Sequence, residues 1–149
     1  MTGPANALDV AGLHAGYDSY DVLHGMSLHV GPNEKIGLFG PNGHGKTTLL
    51  NAISKVITPS RGAASFMGEP LAAVSSRGIV ERGLIHVPQA NRLFPDMEIM
   101  ETLELSAFTK RARGDRAANL DYVLTLFPRL AERRRQQCKT LSGGERQML

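Results

Sequence analysis

Gly40-Pro41-Asn42-Gly43-His44-Gly45-Lys46-Thr47, continued by Thr48-Leu49-Leu50, is the stretch whose reading decides the fold. It fits G-x-x-x-x-G-K-[ST], and each residue type in it has a physical task. Glycines let successive backbone N–H groups point inward at phosphate oxygens, a curvature that side chains at positive φ resist. A helix opening at Lys46 adds its free N–H groups and the positive end of its dipole. Lys46 can bridge the β- and γ-phosphates of a nucleotide, and the Thr47 hydroxyl can ligate Mg²⁺. Such a loop must follow a buried strand and open a helix. The apolar run Lys35-Ile36-Gly37-Leu38-Phe39 precedes it, and Leu49, Leu50, Ile53, Val56 and Ile57 recur at helical spacing after it. These predict a strand over 35–39 and a helix with one buried face over 46–57. Gly40, Pro41, Asn42, Gly43, His44, Gly45, Lys46, Thr47 and Thr48 are the expected nucleotide contacts.

Outward from the loop, Leu8–Leu13 and Met26–Val30 alternate loosely as strands, with a turn at Gly31-Pro32-Asn33. Pro59-Ser60-Arg61-Gly62 ends the helix, and Ala63–Met67 is a further strand turned at Gly68-Glu69. Ser75–Arg82 is expected to be helical and Leu84–Val87 a strand stopped by Pro88. Beyond it, Ile99, Met100, Leu103 and Ala107 form one helical stripe, and Leu120, Val123, Leu124 and Phe127 form another, closed by Pro128. Strands alternating with helices and followed by a helical block predict an α/β domain with a helical insertion.

Composition agrees with that class. The 149 residues are the length of one domain, and 42% hydrophobic against 21% charged residues exclude a disordered or fibrous chain. The single cysteine, Cys138, excludes a disulfide-stapled scaffold. No uncharged stretch is long enough to cross a bilayer, the longest running from Val22 to Asn33. The start, Met-Thr-Gly-Pro-Ala-Asn, lacks a signal-peptide pattern, so a cytoplasmic location is expected. The net charge of +3 is uneven: residues 110–139 carry nine Lys or Arg against three Asp or Glu. A nucleic-acid patch is one reading of that block. Solvated helix ends is the stronger one, because Lys110, Arg111, Arg113 and Arg116 flank Gly114. No aromatics lie among Arg133-Arg134-Arg135 to stack on bases.

Leu141-Ser142-Gly143-Gly144-Glu145-Arg146-Gln147 carries a second signal. Ser142 with Glu145 three residues later is a capping box, which by itself marks a helix start. Ser142 with two glycines there also offers a hydroxyl and accessible N–H groups to an anion. Two phosphate-facing sites with one nucleotide pattern suggest that the second grips ATP held by a different subunit.

Gly40–Thr47 together with Leu141–Glu145 resembles the ATP-binding subunit of an ABC transporter, in which the second motif is the signature sequence. The resemblance runs from about Leu8 onward. It implies the P-loop NTPase (ABC ATPase) fold, α/β, with an N-terminal antiparallel β part, a helical subdomain and the C-terminal part missing. Its implied layout is a core over about 8–95, a helical subdomain over about 96–140, and the signature motif with the start of its helix over 141–149. Tyr17 sits where the family places an aromatic that stacks on adenine, with Tyr20 nearby as a competitor. Gln89 matches the Q-loop glutamine that touches Mg²⁺ and senses the membrane subunit, so Lys46 and Gln89 are the implied catalytic residues and Thr47 and Gln89 the implied metal contacts. Ser142, Gly143, Gly144 and Glu145 become the contacts to ATP on the opposite subunit. Leu23-His24-Gly25-Met26-Ser27-Leu28, Val87-Pro88-Gln89, Leu93-Phe94-Pro95 and Leu126-Phe127-Pro128-Arg129-Leu130 are most similar to branched-chain amino acid importer ATPases. The implied cofactors are ATP and Mg²⁺. The implied partners are a second ABC ATPase subunit, transmembrane permease subunits and, indirectly, a solute-binding protein, with no nucleic acid, at the cytoplasmic side of the membrane.

Hydrolysis in this family also needs a strand-end Asp for Mg²⁺, an adjacent Glu that polarises water, and a later switch His. No apolar strand here ends in Asp-Glu, and His14, His24, His29, His44 and His86 all precede the signature. The resemblance places these groups downstream, so the chain is expected to be the N-terminal part of an ATPase subunit and inactive alone, with exposed apolar sheet surface beside the strand of the phosphate loop. The competing expectations are an ABC protein acting on nucleic acid or the ribosome, and a nucleotide-binding remnant without hydrolysis.

Overall fold

β1 (Leu8–Tyr17) and β2 (Tyr20–Val30) form a long antiparallel hairpin, turning through Asp18-Ser19 with Asp18 at φ 53°. The computed structural model describes residues 6–88 and 93–149. These divide into two units, Met1–His86 and Val87–Leu149. The first also holds α1 (Lys46–Ile53), β3 (Arg61–Phe66), β4 (Glu69–Pro70) and α2 (Ser76–Glu81). Its sheet is antiparallel throughout, in the order β2-β1-β3-β4. The β3–β4 connection is a two-residue turn, Met67-Gly68, with both residues at positive φ, as a tight hairpin requires.

Strict alternation along β1 would send Val10 and Leu13 to opposite faces, yet both are buried, along with Ala15. A register shift between Val10 and Leu13 resolves this, with Gly12 at φ 56° and its N–H donating to Ser27 Oγ at 2.8 Å. The bulge restores one apolar face, and Val10, Leu13, Ala15 and Leu23 cluster with Leu49, Ala52 and Ile53 of α1 and with Leu71 and Ile79. Each large side chain sealed in this cluster contributes roughly 1.5–3 kcal/mol.

Three expectations for this unit need correction. Lys35–Phe39 is not a strand: its backbone pairs with no neighbour among the described residues, Ile36 and Leu38 are exposed, and Phe39 is 93% exposed. Leu84–Val87 likewise forms no strand. A short apolar run acquires strand geometry from hydrogen-bonded neighbours on its flanks, and among the described residues neither run has a paired strand. The helix after the loop stops at Ile53, not at residue 57, because Lys55 turns left-handed at φ 57° and the N–H groups of Val56 and Ile57 both donate to Asn51 O. Ile36, Leu38 and Phe39 are exposed before the loop, but they belong to no strand, so this is not the exposed sheet surface expected from the sequence.

The second unit is helical: α3 (Ile99–Ser106), α4 (Lys110–Gly114), α5 (Arg116–Leu126), α6 (Pro128–Glu132), a 3-10 turn (Cys138–Thr140) and α7 (Gly143–Met148). Pro128 both closes α5 and opens α6 at its first turn, where its missing N–H costs nothing. Ile99, Leu124, Leu130 and Leu141 are the buried core, flanked by Leu103, Leu120 and Phe127. The two helical stripes read from the sequence therefore face each other through α3 and α5. No helix among the described residues is long and apolar enough to cross a membrane.

Candidate functional site

The loop before α1 is a cradle with its lysine folded across it. Lys46 Nζ donates to the carbonyls of Gly40 and Pro41, each at 2.7 Å, and His44 Nδ1 lies 3.2 Å from Asn42 O. Gly43 and Gly45 stand at φ 84° and 82°, in the left-handed region that glycine enters without strain. Gly45 is the N-cap of α1 and is buried; a Cβ there would meet Leu23 Cδ2 at 2.7 Å. At Gly40 and Gly43 a Cβ would meet nothing within 4 Å, so their backbone faces open space. Among the described residues, no acceptor takes the N–H groups of Gly43, His44, Lys46 or Thr47. Thr47 is exposed on the first turn, whereas Thr48 is buried against the core and supports the helix. A bare backbone with free donors, a helix N-terminus and a primary ammonium fit a phosphate chain.

Tyr17 ends β1 in the same unit. Its hydroxyl accepts from Asn51 Nδ2 of α1 at 3.0 Å, and 47% of the residue stays exposed. Tyr20, its partner across the turn, is more exposed, at 79%. The helix that begins in the phosphate loop thus fixes Tyr17 by its polar tip and leaves much of the ring open to solvent. Gln89 lies outside the described residues.

Ser54 and His86 went unmarked in the sequence beyond the presence of a histidine. Ser54, only 8% exposed at the end of α1, donates its hydroxyl to Leu50 O at 2.7 Å, and its Oγ lies 3.0 Å from His86 Nδ1. His86, at the end of the first unit, is thereby tied to the far end of the loop's helix.

In the second unit, Ser142 is the N-cap of α7, and the predicted capping box is formed in both directions. Ser142 Oγ accepts from Glu145 N at 3.3 Å, and Glu145 Oε2 accepts from Ser142 N at 2.9 Å. Glu145 Oε1 is 3.0 Å from Arg133 Nη1. Gly143 and Gly144 begin the helix with nothing within 4 Å of a notional Cβ and without positive φ. No neighbour among the described residues requires glycine there, although glycine in a helix costs about 1 kcal/mol relative to alanine. Arg146 braces the approach to the turn, donating from Nε to Leu141 O at 2.8 Å and from Nη2 to Lys139 O at 3.3 Å.

The chain entering the signature turn is also sewn to the segment that leads into α3. Met100 N donates to Arg134 O, Ile99 N to Gln136 O, Cys138 N to Met97 O and Lys139 N to Pro95 O. Lys139 Nζ pairs with Asp96 at 2.8 Å, and Thr102 Oγ1 lies 3.3 Å from buried Cys138 Sγ. The basic block stays in contact with solvent, as read from the sequence, and several of its arginines also pair with carboxylates. Arg116 pairs with Glu104 at 2.6 Å, Arg129 with Glu132 at 3.5 Å and Arg133 with Glu145.

The hydrogen bond from the Ser142 backbone, then the Ser142 side chain, with Arg133 and Arg129 adding to them, holds the Glu145 carboxyl below the usual carboxylate range. Because the folded value is depressed, the capping box contributes stability above the unfolded value and loses it as pH falls through the folded one. A ¹³C titration of the Glu145 carboxyl is expected to show a midpoint below the roughly 4.3 of an unperturbed glutamate. Protection of the Ser142 amide from exchange should be lost over that same acidic window and be steady at neutral pH. A midpoint at or above the ordinary value would contradict the geometry.

The family described as ABC transporter matches residues 23–149. The chain is 36% identical over 133 residues to the high-affinity branched-chain amino acid transport ATP-binding protein BraG of Pseudomonas aeruginosa, covering 89% of the chain and 57% of BraG. It is 35% identical over 133 residues to the Nod factor export ATP-binding protein I of Burkholderia thailandensis, covering 89% of the chain and 43% of that protein. A solved ATP-binding subunit of an ABC transporter superposes with a TM-score of 0.78 at 28% identity, over 95% of this chain and 58% of that one. The chain thus spans between two fifths and three fifths of the length of these relatives.

Proposed function

The chain belongs to the ABC transporter family, and from that premise we propose that it is the nucleotide-binding part of an energy-coupling ATPase subunit in an importer for branched-chain amino acids or a similar small polar solute. The observation that carries the nucleotide assignment is the open cradle of Gly40–Thr47 with Lys46 Nζ across it. ATP supplies the cleavable γ-phosphoryl group. Gly43, His44, Lys46 and Thr47 offer N–H groups to the β- and γ-phosphate oxygens, Lys46 moves its ammonium from the two carbonyls to the phosphates, and the ring of Tyr17 serves the adenine. Thr47 offers its hydroxyl to Mg²⁺, with Gln89 as the second protein contact. Among the described residues no group of three His, Cys, Asp or Glu side chains is placed to hold a metal, so the phosphates themselves supply much of the Mg²⁺ shell in this reading. Two subunits pair head to tail, and the bare Gly143-Gly144 backbone with Ser142 meets the γ-phosphate held on the opposite P-loop. Permease subunits receive the closure of that pair.

Branched-chain specificity rests on BraG and on the stretches around Leu23–Leu28, Val87–Gln89 and Leu126–Leu130. The Nod factor export relative favours a second reading, in which the same nucleotide machinery drives export.

A fluorescent ATP analogue titrated onto the 149-residue chain tests the binding step: Mg²⁺-dependent binding displaced by ATP is expected, with no steady-state hydrolysis. Turnover abolished by Lys46→Ala in this chain would sink the assignment of water activation to groups other than those present. Uptake against efflux of labelled leucine in vesicles holding the assembled transporter decides the direction.

A further inference from the structure

Both carboxylate oxygens of Glu145 are engaged, and one partner comes from outside the signature motif. Oε2 takes the Ser142 N–H at 2.9 Å, while Oε1 takes Arg133 Nη1 at 3.0 Å. The Arg133 backbone is held on both sides: its N–H donates to Leu130 O at 3.2 Å, and its carbonyl accepts from Gln136 N at 2.8 Å. Leu130 is fully buried, so the guanidinium leaves a fixed turn rather than a free helix end. The Glu145 side chain is 16% exposed and that of Arg133 35%, which screens the pair less than an ordinary surface contact. The carboxylate lies on the first turn of α7, beside the open backbone of Gly143 and Gly144. An uncompensated negative charge there repels any anion approaching those glycines.

We infer that Arg133 is a positioning residue for the signature turn: it locks the Glu145 carboxylate into the cap of Ser142 and cancels its charge, so that the turn can meet the phosphates of a nucleotide held by a second subunit. The inference rests on the head-to-tail reading above. Arg133 touches no nucleotide in it and acts only through Glu145. Arg129, bonded to Glu132 at 3.5 Å, is the other cation near this carboxylate, so the role is tested against it.

Two measurements on Arg133→Met separate the inference from the reading beneath it. In the 149-residue chain, the ¹³C midpoint of Glu145 should rise toward the usual value and exchange of the Ser142 amide should quicken, while Arg129→Met should move both less. In the assembled transporter, Arg133→Met should lower kcat about fivefold, the size a partly exposed charge contact supplies, with binding of the fluorescent nucleotide to the P-loop unchanged. Arg133→Lys, which keeps a cation beside the carboxylate, should hold kcat within about twofold of the parent, because the single contact to Glu145 needs a charge and not a planar fork. A charge defect spares Arg133→Lys; a defect in the shape of the turn does not. An unmoved Glu145 midpoint in Arg133→Met overturns the Arg133 role, and so does a loss of kcat in Arg133→Lys as large as in Arg133→Met. Gly144→Asp controls for the reading itself: if it leaves turnover intact, the signature turn meets no phosphate and the head-to-tail reading falls, while the midpoint still decides whether Arg133 holds Glu145.

Discussion

Lys46→Ala is expected to weaken ATP binding by at least about 100-fold, equivalent to about 2.7 kcal/mol. The ammonium does two things that no methyl group can. Without nucleotide it satisfies the carbonyls of Gly40 and Pro41 at 2.7 Å each and so keeps the loop curled. With nucleotide it offers the same charge to the phosphates, where a charge-assisted hydrogen bond is roughly twice as strong as a neutral one. Removing it loses the attraction and also relaxes the backbone that presents the N–H groups. Lys46→Arg should recover only part of the loss, because the planar fork of arginine does not fit a seat shaped for a compact point charge between two carbonyls. Titration of a fluorescent nucleotide against the three proteins, with circular dichroism to confirm that each is folded, provides the measurement. An affinity for the alanine variant within threefold of the parent would remove the loop from the binding site.

Gly45→Ala should destabilise the first unit by about 3 kcal/mol. A residue with a side chain at φ 82° costs about 1–2 kcal/mol, and forcing a methyl into a packed core adds about 1–3 kcal/mol. The methyl would lie 2.7 Å from Leu23 Cδ2, and Leu23 is itself part of the core beneath α1. Gly43→Ala is the matched control, with nearly the same φ, 84°, but open space around the added carbon. It should cost only the backbone strain, about 1 kcal/mol, and yet weaken nucleotide binding, because the space its Cβ would fill is the space the phosphates enter. Urea unfolding followed alongside nucleotide titration distinguishes the two. Equal destabilisation by both variants would mean that the contact with Leu23 carries no weight.

The contrast between these glycines shows where sequence reading stops. Both fit the same motif, and the pattern assigns them one task. Only the packing of β2 against the start of α1 makes one of them a structural necessity and leaves the other facing the ligand. Tyr17 has the same character. The family resemblance implied an aromatic for adenine there, and the bond to Asn51, 34 residues away, decides which face of the helix it stands beside.

The phosphate loop, the start of α1 at Lys46 and the capping box of Ser142 with Glu145 were legible in the amino-acid order. Their determinants lie within a few residues of one another: glycine's access to positive φ, free N–H groups at a helix start, and a side chain reaching back three residues. The apolar faces of α3 and α5 were legible for the same reason, as a period along one helix. The tertiary structure alone decided the rest. Lys35–Phe39 and Leu84–Val87 read as strands, but a strand is made by its neighbours, and among the described residues neither run has one. The bulge at Gly12 resets which residues of β1 face inward because β2 and β3 must both pair with it. Arg133, by sequence one of three adjacent arginines, becomes the partner of Glu145 because the buried Leu130 and Leu141 bring α6 and the start of α7 into one core. Local geometry is encoded locally, whereas pairing between residues far apart depends on which burial the whole unit achieves.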